Sequence, residues 1–539
     1  LQIVATIMLI SSIAAWLTSI LSAQSPVEKS SMNLARLQRQ DEITCEWPKF
    51  SIWDSQPQNS TFVGSVECPA SPSLASLEVG GYLTITAPYA EAEYYAETSC
   101  RKAGKGRTWM DCILVQVQFD SRVKVDQEQF AVRCLNGSAQ IYEEAFFNPT
   151  AKIQVSSRKT RIITLYYSQS IHYNPSISII LMDDASSAHL ARNLPKTMKL
   201  MKDEDFFIPS RYSQTFSDAA LNLELILNGT DNRSLLDVMN SMVFILNHRN
   251  CLTFVNEEHS DDVIHPLFPY DAHFDTRPLH AFNRQRSVQK HCLATGKSFV
   301  SSILDPLLTF SSSFRPLCTL SITRFRVPSE LGAIDEELSL ALAQLISTSS
   351  NTAIFLLSPS GQKRAGLSGV VEGKSPLLAA WFPDEFRRNR NAHYSAFAWN
   401  MDKLFTTRDV RATLQQLALA RLPETVEWRA YNEEHNQASS LLSEMLPEER
   451  NCTTLGIADE NCLCLGTDEK RNATVNADAL LNKRVLELVE SRVGRESCVE
   501  KIVTDERWSH LNAYRMFEKD LERESNDVEW LTIEYYVKI

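Results

Sequence analysis

Residues 177–182 (ISIILM) form an apolar run broken by one serine, and two aspartates, Asp183 and Asp184, follow at once. A short, nearly continuous run of this kind suits a strand buried on both faces, as in a parallel sheet covered by helices. The segment behind it, 185–197 (ASSAHLARNLPKT), reads as a turn and a helix. Carboxylates at such a strand end sit where open α/β sheets bind ligands, so Asp183 is a candidate for holding a cation. Beyond it a simpler role is expected, with Asp184 or Ser186 capping the helix by accepting hydrogen bonds from its free N–H groups.

Similar signals recur downstream. Between about residues 166 and 420, strand candidates at 242–246, 318–322, 353–357 and 377–382 alternate with helical patterns. One such helix shows Leu338, Ala341, Leu342, Leu345 and Ile346 on a single face, with Asp335 expected as its N-cap. The alternation predicts a doubly wound, mostly parallel α/β sheet for 166–420. Ahead of it, 45–165 carries short alternating runs such as 82–86 and 113–119 between Gly and Pro, predicting a small β-rich, disulfide-stapled region. Behind it, 421–539 predicts a cysteine-containing α+β region, with Leu481, Val485, Leu488, Val489 and Val493 at helical spacing and a strand near 530–537.

The first 24 residues predict a signal peptide or signal anchor, since 3–21 carry no charge and Leu21-Ser22-Ala23 resembles a small-residue cleavage site. The chain opens on Leu1 rather than Met, so a basic segment before it is expected to be missing. Residues 25–44 read as a polar linker, and this leading segment is the one route to a membrane. Export agrees with sequons at Asn59, Asn136, Asn228, Asn232, Asn451 and Asn472 as glycosylation sites. It also agrees with an even count of 12 cysteines, among which Cys45, Cys68, Cys100, Cys112, Cys134, Cys452, Cys462, Cys464 and Cys498 cluster towards the two ends as disulfide candidates. Zinc at Cys462 and Cys464 is a poor fit, because structural zinc pairs use longer spacers. A net charge of −12 without a basic, aromatic-studded stripe excludes nucleic acid as a partner.

Common catalytic motifs are missing: there is no His-Glu-x-x-His, Gly-x-Ser-x-Gly or Gly-x-Gly-x-x-Gly. Gly296-Lys297-Ser298 lacks the first glycine of a phosphate loop and reads as a turn. Histidines and acids are interleaved between His259 and His291, among Pro266, Pro269 and Pro278, which favours a solvated loop over a convergent metal site.

Several segments together resemble a known family. Asp183, Ser186, Arg192, Pro195, Lys196 and Thr197 are similar to the D-S-x-S-R…R-x-x-P-x-T opening of the animal sulfatase-like proteins catalogued as domain of unknown function 229, within the alkaline-phosphatase-like superfamily. Asn222 and 227–229 (LNG) resemble the block around the family's Asn-Thr, and 253–258 (TFVNEE) its T-x-x-x-E-D segment. Residues 404–414 (LFTTRDVRATL) resemble L-T-T-P-x-D-x-H-x-T-L, and Asn451-Cys452 with 462–464 the C-terminal cysteine signature. The order and spacing of these matches span most of the chain.

This resemblance implies a sulfatase or alkaline-phosphatase fold, in which metal ions at the sheet's carboxyl edge activate a Thr, Ser or modified Cys nucleophile. Carried over residue by residue, Asp183 keeps the first ligand position, but the nucleophile falls on Ala219. Ser-Asp-His-Gly becomes Ser358-Pro359-Ser360-Gly361, so Pro359 and Ser360 replace a carboxylate and an imidazole, and the late histidine falls on Arg411. A shifted register would offer Ser217 or Thr215 in place of Ala219. A guanidinium donates only and cannot ligate, so Arg411 is expected to pair with Asp183 as a fixed cation.

The resulting expectation is a secreted or membrane-anchored, catalytically inactive sulfatase-like protein that serves as a binding or structural component and holds no cofactor. A protein or a glycan is the expected class of partner. Two alternatives stand beside it. One is an active phosphate or sulfate ester hydrolase in which Asp183, Asp184 and His259, His265 or His273 assemble a zinc or calcium site; the other is an adhesion or receptor ectodomain.

Overall fold

In the computed structural model of this chain, the described residues are Cys45, Trp47, Pro48, Cys68 and most of 73–464, with two further strands near the C-terminus. The larger segments left undescribed within that span are 96–114, 151–175, 228–241, 265–271 and 429–437. The leading apolar segment, Asn59, Asn228, Asn232, Asn472, Cys100, Cys112, Cys498, His259, His265, His291 and the predicted helix at 481–493 lie outside the described residues.

The chain first forms seven short strands: β1 (Ala75–Glu78), β2 (Tyr82–Ile85), β3 (Glu91–Tyr95), β4 (Val115–Val117), β5 (Arg122–Lys124), β6 (Gln129–Asn136) and β7 (Ala139–Phe147). They make two antiparallel sheets, β1-β2-β5 and β4-β3-β6-β7. A small core of Leu83, Ile85, Phe130 and Val132 is built by inward-facing residues of alternating strands.

The α/β part begins with β8 (Ser176–Asp183), α1 (Ser187–Asn193), α2 (Pro195–Asp203), β9 (Tyr212–Ser213), α3 (Ala219–Leu227), α4 (Met242–His248) and β10 (Leu252–Glu257). It continues through β11 (Phe274–Asp275), α5 (Arg277–Gln285), β12 (Ser287–Gln289), β13 (Cys292–Leu293), α6 (Phe299–Ser313), β14 (Thr319–Arg326), α7 (Asp335–Thr348) and β15 (Thr352–Leu357). It ends with α8 (Leu367–Lys374), β16 (Leu378–Trp381), α9 (Asp384–Asn389), α10 (Asn391–Asn400), β17 (Phe405–Thr406) and α11 (Thr407–Leu419). Two small pairs follow, β18 (Glu427–Trp428) with β19 (Glu444–Met445) and β20 (Leu511–Met516) with β21 (Val528–Ile533).

The central sheet has the order β11-β10-β14-β8-β15-β16. Every neighbouring pair is parallel except β15 with the edge strand β16. Helices cover both faces, as two-sided burial demands of a parallel sheet. Side chains at Ile177, Ile179 and Leu181 pack towards α3, α4 and α11, while Ile180 and Met182 pack towards α2, α6 and α7. The fold is therefore the doubly wound, mostly parallel α/β sheet expected, with β8 at its centre.

Two local expectations are corrected. Residues 242–246 form a helix, α4, and not a strand; Met242, Val243, Ile245 and Leu246 are buried at helical spacing, and so short an apolar run does not separate the two states. Asp335 opens α7 but caps a different helix, since its carboxylate accepts from Lys196 N at 2.8 Å and Thr197 N at 2.8 Å in the first turn of α2. Leu194, the residue before α2, has no capping side chain, so a carboxylate from 138 residues away supplies the missing acceptor.

The cysteines also differ in part. Disulfides join Cys45–Cys464, Cys68–Cys292, Cys251–Cys318 and Cys452–Cys462. Cys134 is a free thiol buried in the β-rich core, where loss of hydration pushes its pKa up to about 11. Cys251, Cys292 and Cys318, which lie between the two clusters, were missed as partners because spacing along a chain says nothing of distance in space. The proximity of Cys452, Cys462 and Cys464 is that of disulfide sulfurs and leaves no thiolate for zinc.

Candidate functional site at the carboxyl edge of the sheet

Strands β8, β10 and β14 end side by side, and parallel register fixes which side chains meet there. Arg324 lies opposite Glu257 on one neighbour and Leu181 on the other. Asp183, two residues beyond Leu181, shares its face and lies on the diagonal from Arg324, within reach of a long side chain.

The guanidinium uses that reach. Arg324 Nε donates to Asp183 Oδ1 at 3.1 Å and Nη2 to Oδ2 at 2.8 Å, a bidentate grip. Its remaining nitrogen, Nη1, donates to Glu257 Oε1 at 2.7 Å. All three residues are buried, Glu257 completely. The Ile264 N–H adds donors to both Glu257 oxygens at 3.3 and 3.2 Å. Burial alone would lower the Arg324 pKa, but the charges and hydrogen bonds of Asp183 and Glu257 reverse this and raise it, so the guanidinium stays charged.

The cation seen to hold both Asp183 oxygens is Arg324 on the adjacent strand, a partner that the expected pairing of Asp183 with Arg411 did not include. Arg411 is half-buried on α11, which packs on the same face of the sheet as Asp183. Arg324 and Glu257 were not singled out from sequence. The available signal was an arginine near the end of TLSITRFR, whose first seven residues are all buried, since a buried arginine requires anionic partners.

Around this cluster the remaining positions are engaged in holding turns. Asp184 adopts a left-handed conformation with φ 57°, tolerable for aspartate, and accepts from Ser360 Oγ at 3.2 Å. Ser186 is the N-cap of α1, accepting from His189 N at 3.0 Å, so of the two capping candidates Ser186 takes the role. Its hydroxyl also donates to Glu372, whose carboxylate is gripped by Arg192 at 2.5 and 2.7 Å in a second buried ion pair. Ser358 Oγ accepts from Ala185 N at 3.2 Å and donates to Ser360 O, while Pro359 lies between them. At Gly361 a Cβ would meet Glu372 O at 1.7 Å, so only glycine fits against α8.

Ala219 is the first residue of α3 and brings a methyl group to that helix start. Of the alternative nucleophile positions, Ser217 Oγ donates to Asn461 at 3.0 Å and Thr215 is buried. Asn222 fixes this turn, accepting from Thr215 N and Phe216 N and donating to Phe216 O at 2.7 Å. In 404–414, Asp409 is completely buried and paired with Arg450 at 2.9 Å, and it accepts from Thr406 N and Ser439 N, so it ties α11 to the following segment.

The histidine cluster does not converge here among the described residues. His273 Nδ1 contacts Thr253 Oγ1 at 2.8 Å, near the start of β10 and at the opposite end of the sheet from Asp183. His280 is buried on the other face, where Nε2 donates to Asn256 Oδ1 at 2.6 Å. Loss of hydration and the nearby Arg284 charge push its pKa down to about 3, so it is neutral.

The family model described as "Protein of unknown function (DUF229)" matches residues 87–252 and 284–501, more than half of the chain. The chain belongs to this family. Among curated proteins no match is found. Solved structures similar to this DUF229 chain include the zinc complex of the C-terminal periplasmic domain of EptC from Escherichia coli, at 12% identity and a TM-score of 0.34, covering 46% of this chain and 84% of that one. A protein of the alkaline phosphatase superfamily from Vibrio parahaemolyticus gives 8% identity and a TM-score of 0.33, over 49% and 76%. The lipoteichoic acid synthase LtaP from Listeria monocytogenes gives 11% and 0.32, over 46% and 72%.

The metal chemistry that the family resemblance implies can be tested against the donors in place. Asp183 and Glu257 offer carboxylates, but a guanidinium sits between them and takes up the oxygens a cation would need. Ser360, Pro359 and Arg411 add no anionic or imidazole donor. Among the described residues, even with the Asp184 carboxylate, which accepts from Ser360 Oγ, this donor set does not fit a catalytic metal centre.

Proposed function

We propose that this chain is a catalytically inactive, sulfatase-like protein that is secreted or membrane-anchored and acts as a binding or structural component. One observation carries the reading: the Asp183 and Glu257 carboxylates are joined by Arg324 instead of facing an open cation position. Ester hydrolysis in a metal-dependent hydrolase needs an ion to neutralise the developing charge and a nucleophile beside it. Arg324 and Ala219 supply neither.

Four disulfides among the described residues favour an oxidising compartment, and the leading apolar segment of the sequence favours export. No helix among the described residues is long and apolar enough to cross a membrane. A protein or glycan partner remains the class in keeping with an exported scaffold that performs no chemistry.

The test is an assay of the purified exported protein on aryl phosphate and aryl sulfate esters with zinc, calcium or manganese added. No turnover above a blank is expected. Turnover that Asp183→Asn abolishes would overturn the proposal.

A further inference from the structure

We propose that Arg324 is a covalently tethered stand-in for a cation, so that removing its side chain converts the Asp183–Glu257 pair into a site for a small free cation. This inference rests on the non-catalytic reading above and adds to it a specific residue and an exchangeable role. The geometry supports it in three ways. The guanidinium bridges carboxylates from two strands that are not neighbours, β8 and β10, through the strand between them. Its three nitrogens are directed at those carboxylates at 2.7–3.1 Å, with none donating to a backbone carbonyl. Arg324 and Asp183 are each only 8% exposed, and Glu257 is 0% exposed, so the opposing charge cannot be replaced by bulk water without loss.

Truncating the arginine leaves two ionised, buried carboxylates facing the vacated space. Carboxylates so placed favour protonation, distortion, or capture of a cation. A calcium or manganese ion takes carboxylate oxygens at about 2.0–2.6 Å and fills its remaining positions with water, while methylguanidinium restores the lost donors directly. Both are small enough to occupy space that the side chain held.

The experiment compares thermal unfolding of the full chain as wild type, Arg324→Ala, and Arg324→Ala with Asp183→Asn and Glu257→Gln. Each is measured alone and with millimolar calcium chloride, manganese chloride or methylguanidinium chloride, with sodium chloride as the ionic-strength control. Arg324→Ala is expected to melt lower than wild type by on the order of 5–10 °C. Calcium, manganese or methylguanidinium should recover part of that shift, and should move neither the wild type nor the variant without carboxylates. If Arg324→Ala does not fold, the neutral combination Arg324→Met, Asp183→Asn, Glu257→Gln decides. Its folding, with a midpoint near wild type, supports charge matching as the role of Arg324; its failure as well overturns the inference. A folded Arg324→Ala that responds to none of the three cations also overturns it.

Failure of the inference is separable from failure of the functional reading. Wild-type protein that is inert on esters, with an unresponsive Arg324→Ala, sinks the inference alone. Wild-type protein that is itself stabilised by a divalent ion through Asp183, and turns over esters, sinks both.

Discussion

Strands β10 and β14 are joined at both ends by different chemistry. At the amino end, Cys251 and Cys318, each just before its strand, form a disulfide. At the carboxyl end, Arg324 on β14 grips Glu257 on β10 and reaches across to Asp183 on β8. A covalent link acts largely by restricting the unfolded chain and is indifferent to charge. An ionic link acts within the folded state and holds only while every partner keeps its charge. In an α/β sheet the carboxyl end is where ligands bind, so this protein has placed its charge-dependent tie where a functional centre would stand.

Replacing Cys251 and Cys318 together by serine should cost about 4 kcal/mol, from the length of the closed loop, and this loss should be the same at low and high salt. Chemical denaturation under non-reducing conditions measures it. A loss far below that figure would mean that the strand ends are held by packing alone.

At the carboxyl end, Asp183→Ala should cost about 3 kcal/mol, because it leaves Arg324 buried with one of its two carboxylate partners gone. In a Glu257→Gln background, where no second carboxylate is left unpaired, Asp183→Ala combined with Arg324→Met should recover much of that loss. Non-additivity in this double-mutant cycle is the signature of a direct pair, and strict additivity would argue against one.

The pH dependence sharpens the contrast further. His280 lies on the far face of the sheet, one residue back from the clamp through Asn256, and its folded pKa is about 3. In the unfolded chain it titrates near ~6.5, so below that pH the unfolded state gains a proton that the folded state refuses. The contribution is present in full above about pH 6.5 and is lost as pH falls towards 3, with roughly 2 kcal/mol gone by about pH 5. His280→Gln should flatten that part of the stability profile, and an unchanged slope would show that other groups produce it.

The smallest expected effect is at the exit from β8. Ser186→Ala removes the N-cap of α1 and a hydrogen bond to Glu372, and should cost about 1 kcal/mol without altering the salt dependence. A loss several times larger would show that the hydrogen bond to Glu372 supports the Arg192 ion pair beyond the cap itself.

What was legible in the sequence follows a physical line. The strand at 177–182, its acidic end and the helix behind it could be read because burial on two faces leaves a local, continuous apolar signal. The α/β alternation could be read for the same reason. The clamp could not, since its residues are separated by 67 and 141 positions and meet only through parallel register. Asp335 shows the same limit: a carboxylate at a helix start looks like a local cap, but its partners belong to a helix 138 residues earlier. Met242 to Leu246 failed for another reason, because five apolar residues satisfy a strand and a helix equally.

The Cys68–Cys292 bridge spans 224 residues and lies inside the longer ring closed by Cys45–Cys464. A protease cutting once between Cys68 and Cys292 therefore severs the backbone without parting the molecule. A second cut between Cys292 and Cys464 still leaves all three fragments linked, migrating together until a reductant is added.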